Sequence, residues 1–176
     1  MTRIIAGTHR GRRLQVPPGI GTRPTSDRAR EGLFSSLLSL TDLEGAVVLD
    51  LYAGSGALGL EAVSRGAASA TLVEDDPIAL QVLHGNVEET GLAATVVDAD
   101  VSRFLEGPVS PYRLVLADPP YATEVDLGTV VPWVEPDGIV VVERATRGAD
   151  PVAPEGLEPE RSRRYGEATL WYFRRS

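Results

Sequence analysis

The sequence predicts an α/β fold in which helices cover both faces of a mostly parallel β-sheet. From Ala46 onward, short continuous apolar runs alternate with amphipathic segments, which is typical of strands buried on both faces and joined by crossover helices. The chain of 176 residues then finishes on an apolar strand with no helix after it, which indicates an antiparallel element in the sheet. This length fits one ordinary domain with a short appendage.

The N-terminal segment is predicted to form a small β-hairpin followed by one helix. Its strand candidates are residues 3–6 and 13–16, and the prolines and glycines within 17–21 indicate a loop. Thr25 or Ser26 is suited to cap the helix that follows. The apolar residues expected on one face of that helix are Ala29, Leu33, Phe34, Leu37 and Leu38.

Strands and helices alternate through the rest of the chain. Pro77 suits a first helical turn and Gly91 the end of the same helix. The predicted strands are 47–50, 70–74, 95–97, 112–117 and 138–143, and the predicted helices are 57–65, 77–90, 101–105 and 124–131. Residues 150–160 are rich in Pro and Glu and are predicted to form a loop, and a final strand at 168–173 is expected to pair with one near 161–165.

The composition excludes several kinds of site. Cysteine is absent, which rules out disulfides, thiolate nucleophiles and thiolate metal sites. All 17 basic residues are arginine, so a P-loop lysine and a Schiff-base lysine are impossible. With only two histidines, His9 and His84, we expect no metal site. No stretch approaches the ~20 apolar residues that span a bilayer, and we expect a cytoplasmic protein.

The net charge of −8 is distributed unevenly along the chain. Residues 1–30 carry seven arginines and one acid, whereas residues 31–150 carry five arginines and twenty acids. A basic arm on an acidic body indicates a polyanionic partner, nucleic acid in particular, and the alternative is a solvated arm with no partner. We therefore divide the chain into a basic hairpin arm (residues 1–22) and a main domain (residues 23–176), and we expect the body to fold without residues 1–20.

A glycine-rich turn follows the first strand of the main domain. Gly54, Gly56 and Gly59 spell G-x-G-x-x-G, and Glu74 ends the next strand, which together match the dinucleotide-binding fingerprint. Asp50, however, precedes the turn by four residues, where its carboxylate would repel a pyrophosphate. S-Adenosylmethionine instead carries an ammonium and a sulfonium, which a carboxylate attracts, so we predict this cofactor rather than NAD. The alternative for Asp50 is an acid that only caps a helix.

Further acids complete the predicted cofactor site. Glu74 is suited to accept both ribose hydroxyls. After the third strand of the main domain, either Asp98 or Asp100 can accept a hydrogen bond from the adenine amino group, and we prefer Asp100. The candidate cofactor-binding residues are Asp50, Tyr52, Gly54, Ser55, Gly56, Glu74, Asp75, Asp100 and Val101.

The tetrapeptide Asp118-Pro119-Pro120-Tyr121 ends the fourth strand of the main domain and is the predicted catalytic site. Two prolines force the chain out of the sheet at the carboxyl end of the strand, where ligands of such folds bind. An exocyclic amine on a base is a poor nucleophile because its lone pair is delocalised into the ring. The Asp118 carboxylate and the Pro119 carbonyl can each accept one N–H and so direct that lone pair, while Tyr121 can stack on the base. The alternative is a plain turn.

These motifs resemble class I amino-methyltransferases and, more narrowly, the RsmD family of 16S rRNA guanine-N2 methyltransferases. The narrower resemblance lies in residues 3–7, 10–12 and 23–34. It implies a Rossmann-like sheet of seven strands with the last one antiparallel, S-adenosyl-L-methionine as cofactor, guanine held by residues 118–121, and ribosomal RNA as partner, with a small-subunit particle as the expected context. The RNA-binding candidates are Arg3, Arg10, Arg12, Arg13, Arg23, Arg28 and Arg30.

Three alternatives to this function remain open at the level of sequence. One is an amino-methyltransferase on another RNA, on DNA adenine or on a protein glutamine. Another is a non-catalytic RNA-binding assembly factor, which would not need the geometry of residues 118–121. The third is a nicotinamide-binding protein, which Asp50 disfavours.

Overall fold

The computed structural model describes residues 1–19 and 26–176. Strand β1 (Thr2–Arg3) and strand β2 (Arg13–Leu14) pair antiparallel, which confirms the predicted hairpin. The first strand was expected at 3–6 and shares only Arg3 with β1, and the second is shorter than the predicted 13–16. Helix α1 (Asp27–Leu38) follows, and the Ser26 side chain caps it by accepting a hydrogen bond from the Ala29 N–H. Thr25, the other predicted cap, and Arg23 lie outside the described residues.

Among the described residues, the main sheet has seven strands in the order β5-β4-β3-β6-β7-β9-β8, and β9 is the one strand that runs opposite to the other six. In chain order the elements are β3 (Val47–Asp50), α2 (Ala57–Ser64), β4 (Ser69–Glu74), α3 (Pro77–Thr90), β5 (Ala94–Asp98), α4 (Val101–Leu105), β6 (Tyr112–Ala117), α5 (Leu127–Val130), a 3-10 turn (Val131–Trp133), β7 (Val134–Ala145), β8 (Leu157–Tyr165) and β9 (Ala168–Arg175). The predicted fold class is confirmed.

Two apolar layers lie against the two faces of this sheet. On one face, α1, α2 and α3 pack on the side chains of Val48, Leu116 and Val141. On the other face, α4, α5 and the 3-10 turn pack on Val115 and Val142, among others. Alternate residues of the buried strands thus enter opposite layers, which is why these strands are apolar throughout.

The N-terminal hairpin is part of the packing on the first face. Ile4 and Leu14 are fully buried in the same apolar cluster as α1 and α2. The backbone N–H groups of Ile5 and Ala6 donate to the carboxylate of Glu61, which is itself fully buried in α2. Removing the hairpin would expose this surface, so the expectation that the body folds unchanged without residues 1–20 needs revision. Whether residues 1–22 are a separate unit stays a prediction.

The sheet has two ends that matter for function, here called the carboxyl edge and the amino edge. The carboxyl edge is formed by the C-terminal ends of the parallel strands, and the amino edge is the opposite end. Helix α2 returns from the carboxyl edge to the start of β4, so Ser64 at its end lies toward the amino edge. The Thr8 N–H donates to the Ser64 carbonyl, which places the hairpin loop toward the amino edge.

Several local predictions were wrong. The helix expected at 124–131 covers only Leu127–Val130, with Val131 in the 3-10 turn, and β7 begins at Val134 rather than at residue 138. Leu38 is 55% exposed, because α1 ends there and its last residue turns away from the core. Residues 157–160, expected in a loop, instead begin β8, which is an edge strand with mostly exposed side chains. Within residues 1–19 and 26–176, no helix is long and apolar enough to cross a membrane.

Candidate active site

Asp50 is a buried carboxylate at the carboxyl end of β3. It is 1% exposed, and its Oδ2 accepts a hydrogen bond from the Gly59 N–H in the first turn of α2. Its Oδ1 is buried without a hydrogen-bond partner among the described residues. Burial, reinforced by the carboxylates of Asp118 and Glu74, raises the pKa of Asp50 from 3.8 to about 7, although the hydrogen bond from Gly59 and, less strongly, the nearby backbone of Tyr52 favour the ionised form. Asp50 therefore does stabilise the start of a helix, and it still has one oxygen to offer a ligand.

The glycine turn between β3 and α2 is held by Glu74. Glu74 Oε2 accepts from the Gly54 N–H, while Oε1 accepts from the N–H groups of Asp75 and Asp76. Gly56 adopts φ 84°, a left-handed conformation that strains other residues. Most of the acceptor capacity of Glu74 is thus used to shape the turn, and a lone pair on Oε2 remains for a ribose hydroxyl.

Gly59, the third glycine of the motif, is required by packing. A Cβ at this position would lie 2.3 Å from a methyl carbon of Leu72 in β4. The small residue lets α2 approach the sheet closely, and this approach brings the Gly59 N–H to within 3.1 Å of Asp50 Oδ2.

Tyr52, Asp75 and Asp100 lie close to one another beside the glycine turn. Burial raises the pKa of the half-buried Tyr52 hydroxyl, and the carboxylates of Asp100 and Asp75 raise it further. One Asp100 oxygen caps α4 by accepting from the Arg103 N–H, so the other oxygen is available for a ligand. Val101 is buried beneath them and supplies apolar surface.

These residues fit S-adenosylmethionine in chemical terms. A buried carboxylate oxygen without a partner suits an ammonium group. The acids that follow β4 and β5 suit hydroxyl and amino donors, and the partly buried Tyr52 ring and Val101 supply apolar walls. Asp98 is exposed at the end of β5, and no described contact decides between it and Asp100. The Ser55 carbonyl accepts a hydrogen bond from the Asn86 side chain of α3, which holds the glycine turn against this helix.

The predicted catalytic tetrapeptide leaves the sheet at the carboxyl end of β6. Pro119 is buried, Pro120 is exposed, and the Pro120 carbonyl accepts from the Thr123 N–H, which closes a turn. Tyr121 is 51% exposed, so about half of its side chain is in contact with solvent. The strand β6 pairs directly with β3, and Asp118 is close enough to raise the pKa of Asp50. The structure thus brings the two predicted sites together.

Sequence reasoning missed Glu143, which lies beside Asp118. Ala117 of β6 pairs with Val142 of β7, so Asp118 and Glu143 are the next residues on neighbouring strands. Each of these two acids lies two residues after a residue whose side chain belongs to the first apolar layer. Because side chains alternate between the two faces of a strand, both carboxyl groups lie on the same face of the sheet. Glu143 is 5% exposed. An acid directly after the apolar run 139–142 was the available signal.

The predicted RNA-binding arginines do not form one surface. Arg30 is 1% exposed and donates to Thr2 Oγ1 and Asp27 Oδ1, so a direct RNA contact by Arg30 is not supported, because its guanidinium lies inside the protein. Arg12 donates to the Glu89 carbonyl in the last turn of α3, toward the amino edge, and Arg10 is in the hairpin loop.

Three further predicted RNA-binding arginines within the described residues lie near the N-terminus of α1. Arg3 pairs with Asp27, Arg13 is exposed opposite Arg3 in the hairpin, and Arg28 is exposed in the first turn of α1.

The strand order, the single antiparallel strand and the acids at the carboxyl edge define a class I methyltransferase fold. Residues 2–174 match the family described as Conserved hypothetical protein 95. The chain belongs to this family, which is the RsmD family that its motifs resemble.

Individual relatives agree with this assignment. Ribosomal RNA small subunit methyltransferase D of Escherichia coli K12 is 36% identical over 98% of this chain and 89% of its own length. The structure of yhhF from Escherichia coli superposes with a TM-score of 0.86 at 36% identity, covering 99% of this chain and 98% of that one. The Thermus thermophilus 16S rRNA N2 G1207 methyltransferase RsmC, solved with AdoMet and guanosine, shares the fold at 20% identity, with a TM-score of 0.66 over 90% of this chain and 45% of that one.

Proposed function

We propose that this protein transfers a methyl group from S-adenosylmethionine to the exocyclic N2 amine of a guanine in small-subunit ribosomal RNA. The observation that carries the proposal is the juxtaposition, on adjacent strands, of Asp118-Pro119-Pro120-Tyr121 with the Asp50 carboxylate oxygen that has no partner among the described residues. The tetrapeptide suits an amine acceptor, and the Asp50 oxygen suits a cationic cofactor. The name of the Escherichia coli relative, at 36% identity, supports the RNA substrate.

The residues at the end of β6 would prepare the acceptor amine. The Asp118 carboxylate and the Pro119 carbonyl would each accept one N–H of the amine, which holds the nitrogen near tetrahedral geometry and directs its lone pair toward the cofactor. The exposed Tyr121 ring would stack on the base and fix its plane. When bound, S-adenosylmethionine supplies an electrophilic methyl group. The attached amine becomes acidic after transfer, and Asp118 is placed to hold the released proton.

Glu143 would distinguish guanine from adenine. The Watson–Crick edge of guanine presents an N1–H beside its N2 amine, whereas adenine has an acceptor at N1. Two carboxylates on neighbouring strands would therefore meet two donors on guanine, and one of them would meet an unfavourable acceptor on adenine. Loss of one hydrogen bond to a charged acceptor costs about 1.5–3 kcal/mol. Glu143→Leu, which removes the acceptor oxygens, should accordingly lower kcat/KM by roughly tenfold to a hundredfold without changing the affinity for the cofactor.

The experiment that tests the function is transfer of labelled methyl from S-adenosylmethionine to ribosomal RNA from cells that lack this protein. Free RNA and small-subunit particles are both tested as substrates, because we propose the particle as the natural partner. We also propose that the reaction takes place in the cytoplasm. Labelled nucleosides are then separated and mapped. N2-methylguanine at one position is the expected product. Methylation of adenine or protein would contradict the proposal, as would saturable cofactor binding without any transfer.

A further inference from the structure

Arg65 at the end of α2 and the sheet arginines Arg113 and Arg174 lie toward the amino edge and are paired with neighbouring acids, unlike the exposed arginines of the hairpin loop. The ion pairs there are Arg65–Glu31, Arg65–Glu61, Arg113–Glu135 and Arg174–Glu160. Arg175 in addition donates to the carbonyls of Val131 and Val134. These guanidinium groups serve the fold and offer little to an external anion.

Four exposed arginines on the α1 and β8 side of the carboxyl edge differ from these ion-paired arginines; they are called the rim arginines below. They are Arg28 in the first turn of α1, Arg147 just after β7, and Arg163 and Arg164 near the end of β8. Strand β8 runs parallel to β7, because both are antiparallel to β9, so its last residues reach the carboxyl edge. Among the described residues, none of the four rim arginines forms an ion pair.

Local contacts bring the rim arginines to one side of the molecule. Arg164 Nε donates to the Gly166 carbonyl in the turn between β8 and β9, and the Thr146 N–H donates to the Glu167 carbonyl in the same turn, which places Arg147 beside it. Gly32 of α1 packs against Tyr165, since a Cβ there would lie 1.9 Å from the Tyr165 hydroxyl. Arg28 is one helical turn before Gly32 and so lies on the same side of α1.

The sheet order separates this basic side from the acids of the cofactor site. Asp50, Glu74 and Asp100 follow β3, β4 and β5, which form one half of the sheet, whereas β7, β9 and β8 form the other half. Strand β6, with the catalytic tetrapeptide, lies between the halves. The loops of the basic half also contain exposed Asp150 and Glu167, against the three arginines Arg147, Arg163 and Arg164. Arg28 lies in α1 beside two acids, Asp27 and Glu31, which are paired with other arginines.

We propose that the rim arginines are the surface that binds the RNA backbone flanking the target base, in place of the hairpin loop with Arg10 and Arg12. Nucleotides next to a base seated at Asp118–Tyr121 must pass over the carboxyl edge. They are attracted by the basic half and repelled by the acidic half, so the strand leaves toward α1 and β8. Arginine suits this task because its planar guanidinium contacts phosphates in a bidentate manner and stacks on bases. This inference rests on the proposed function for the identity of the nucleic acid.

The test compares two matched pairs of charge-removing substitutions in the full chain. Arg163→Gln with Arg164→Gln changes the rim, and Arg10→Gln with Arg12→Gln changes the two exposed arginines of the hairpin loop, which form no ion pair in the described part of the chain. Affinity for small-subunit ribosomal RNA from cells lacking the protein is measured between 0.05 and 0.5 M salt. Thermal melting and titration with S-adenosylmethionine verify that each variant is folded.

In the rim variant, the slope of log affinity against log salt should be smaller in magnitude than that of the wild type by about 1.4–1.8, because two phosphate contacts are lost. Its affinity for RNA near 0.15 M salt should be roughly tenfold lower. Its KM for RNA should rise with kcat unchanged, and the hairpin pair should keep the wild-type slope. An unchanged slope in the rim pair, or equal losses in both pairs, would overturn the inference. So would a loss confined to intact particles, which would indicate a protein partner instead of RNA. If the wild type transferred no methyl group, the proposed function would be wrong. The binding slopes would still show whether the rim arginines bind RNA.

Discussion

Asp118 is the residue whose proposed role separates chemistry from cofactor binding. In Asp118→Ala the acceptor amine loses its carboxylate, so methyl transfer at saturating cofactor should fall about a hundredfold or more. Cofactor affinity, measured by calorimetry, should stay near that of the wild type. Glu124→Ala is the matched control, because it removes an exposed acid from the loop after β6. A collapse of cofactor affinity in Asp118→Ala would assign the residue to the other pocket.

Asp50 predicts how cofactor binding depends on pH. Its pKa of about 7 means that the free protein holds a proton on this carboxyl below pH 7. A cationic cofactor favours the ionised form and lowers this pKa, so binding releases a proton. Affinity should therefore rise between pH 6 and pH 8, by up to about tenfold per pH unit below the pKa. Asp50→Asn should bind more weakly and show no such rise. An affinity that is independent of pH in the wild type would contradict the role of Asp50.

At the scale of the element, α2 illustrates how one motif combines binding and packing. Gly59→Ala should destabilise the protein by about 1–3 kcal/mol, because the added Cβ overlaps Leu72. Gly85→Ala in α3 is the control, since nothing lies within 4 Å of a Cβ there. That substitution should stabilise by about 0.5–1 kcal/mol, through helix propensity alone. Denaturant unfolding of both variants tests the pair, and equal shifts would refute the packing argument.

The hairpin gives a second element-scale prediction. Leu14→Ala should cost about 2–5 kcal/mol in unfolding free energy, because Leu14 is fully buried between the hairpin and the helical layer. Leu38→Ala changes the same side chain at a position that is 55% exposed, and should stay within about 0.5 kcal/mol of the wild type. Similar small effects for both would show that the hairpin is separable from the body.

The accuracy of the sequence predictions follows from the kind of signal each element carries. The bounds of α3 were predicted correctly because Pro77 and Gly91 mark its two ends. The start of β8 was missed because Glu158, Pro159 and Glu160 are typical of loops, and an edge strand can carry them where a buried strand cannot.

The candidate site was predictable in part. The acids were expected to lie together because each one stands at or just after the end of a strand, and parallel strands end at one edge of the sheet. Burial of single charged side chains was not predictable, because it depends on contacts distant in sequence. Glu61 receives hydrogen bonds from the hairpin more than 50 residues away, and Arg30 bonds Thr2.

At the scale of the whole molecule, the acidic half of the carboxyl edge should select for positive charge. Asp50, Glu74 and Asp100 surround a site proposed for a sulfonium ion, which becomes a neutral thioether after transfer. Raising salt from 0.05 to 0.5 M should therefore weaken S-adenosylmethionine binding by a few-fold, and S-adenosylhomocysteine binding by less. Calorimetric titrations at both salt concentrations measure the difference. Equal salt sensitivity of the two ligands would show that the acids do not act through charge.

Strand β9 comes last among the strands along the chain but sits between β7 and β8 in the sheet. During synthesis, β7 emerges first with the apolar run 139–142, and it lacks a partner on one side until residues 168–175 are available. The strand made in between, β8, is charged, and in the finished sheet it contacts β9 rather than β7. A nascent chain paused after Tyr165 therefore presents an open apolar strand edge, the kind of surface that chaperones cover and that other chains join.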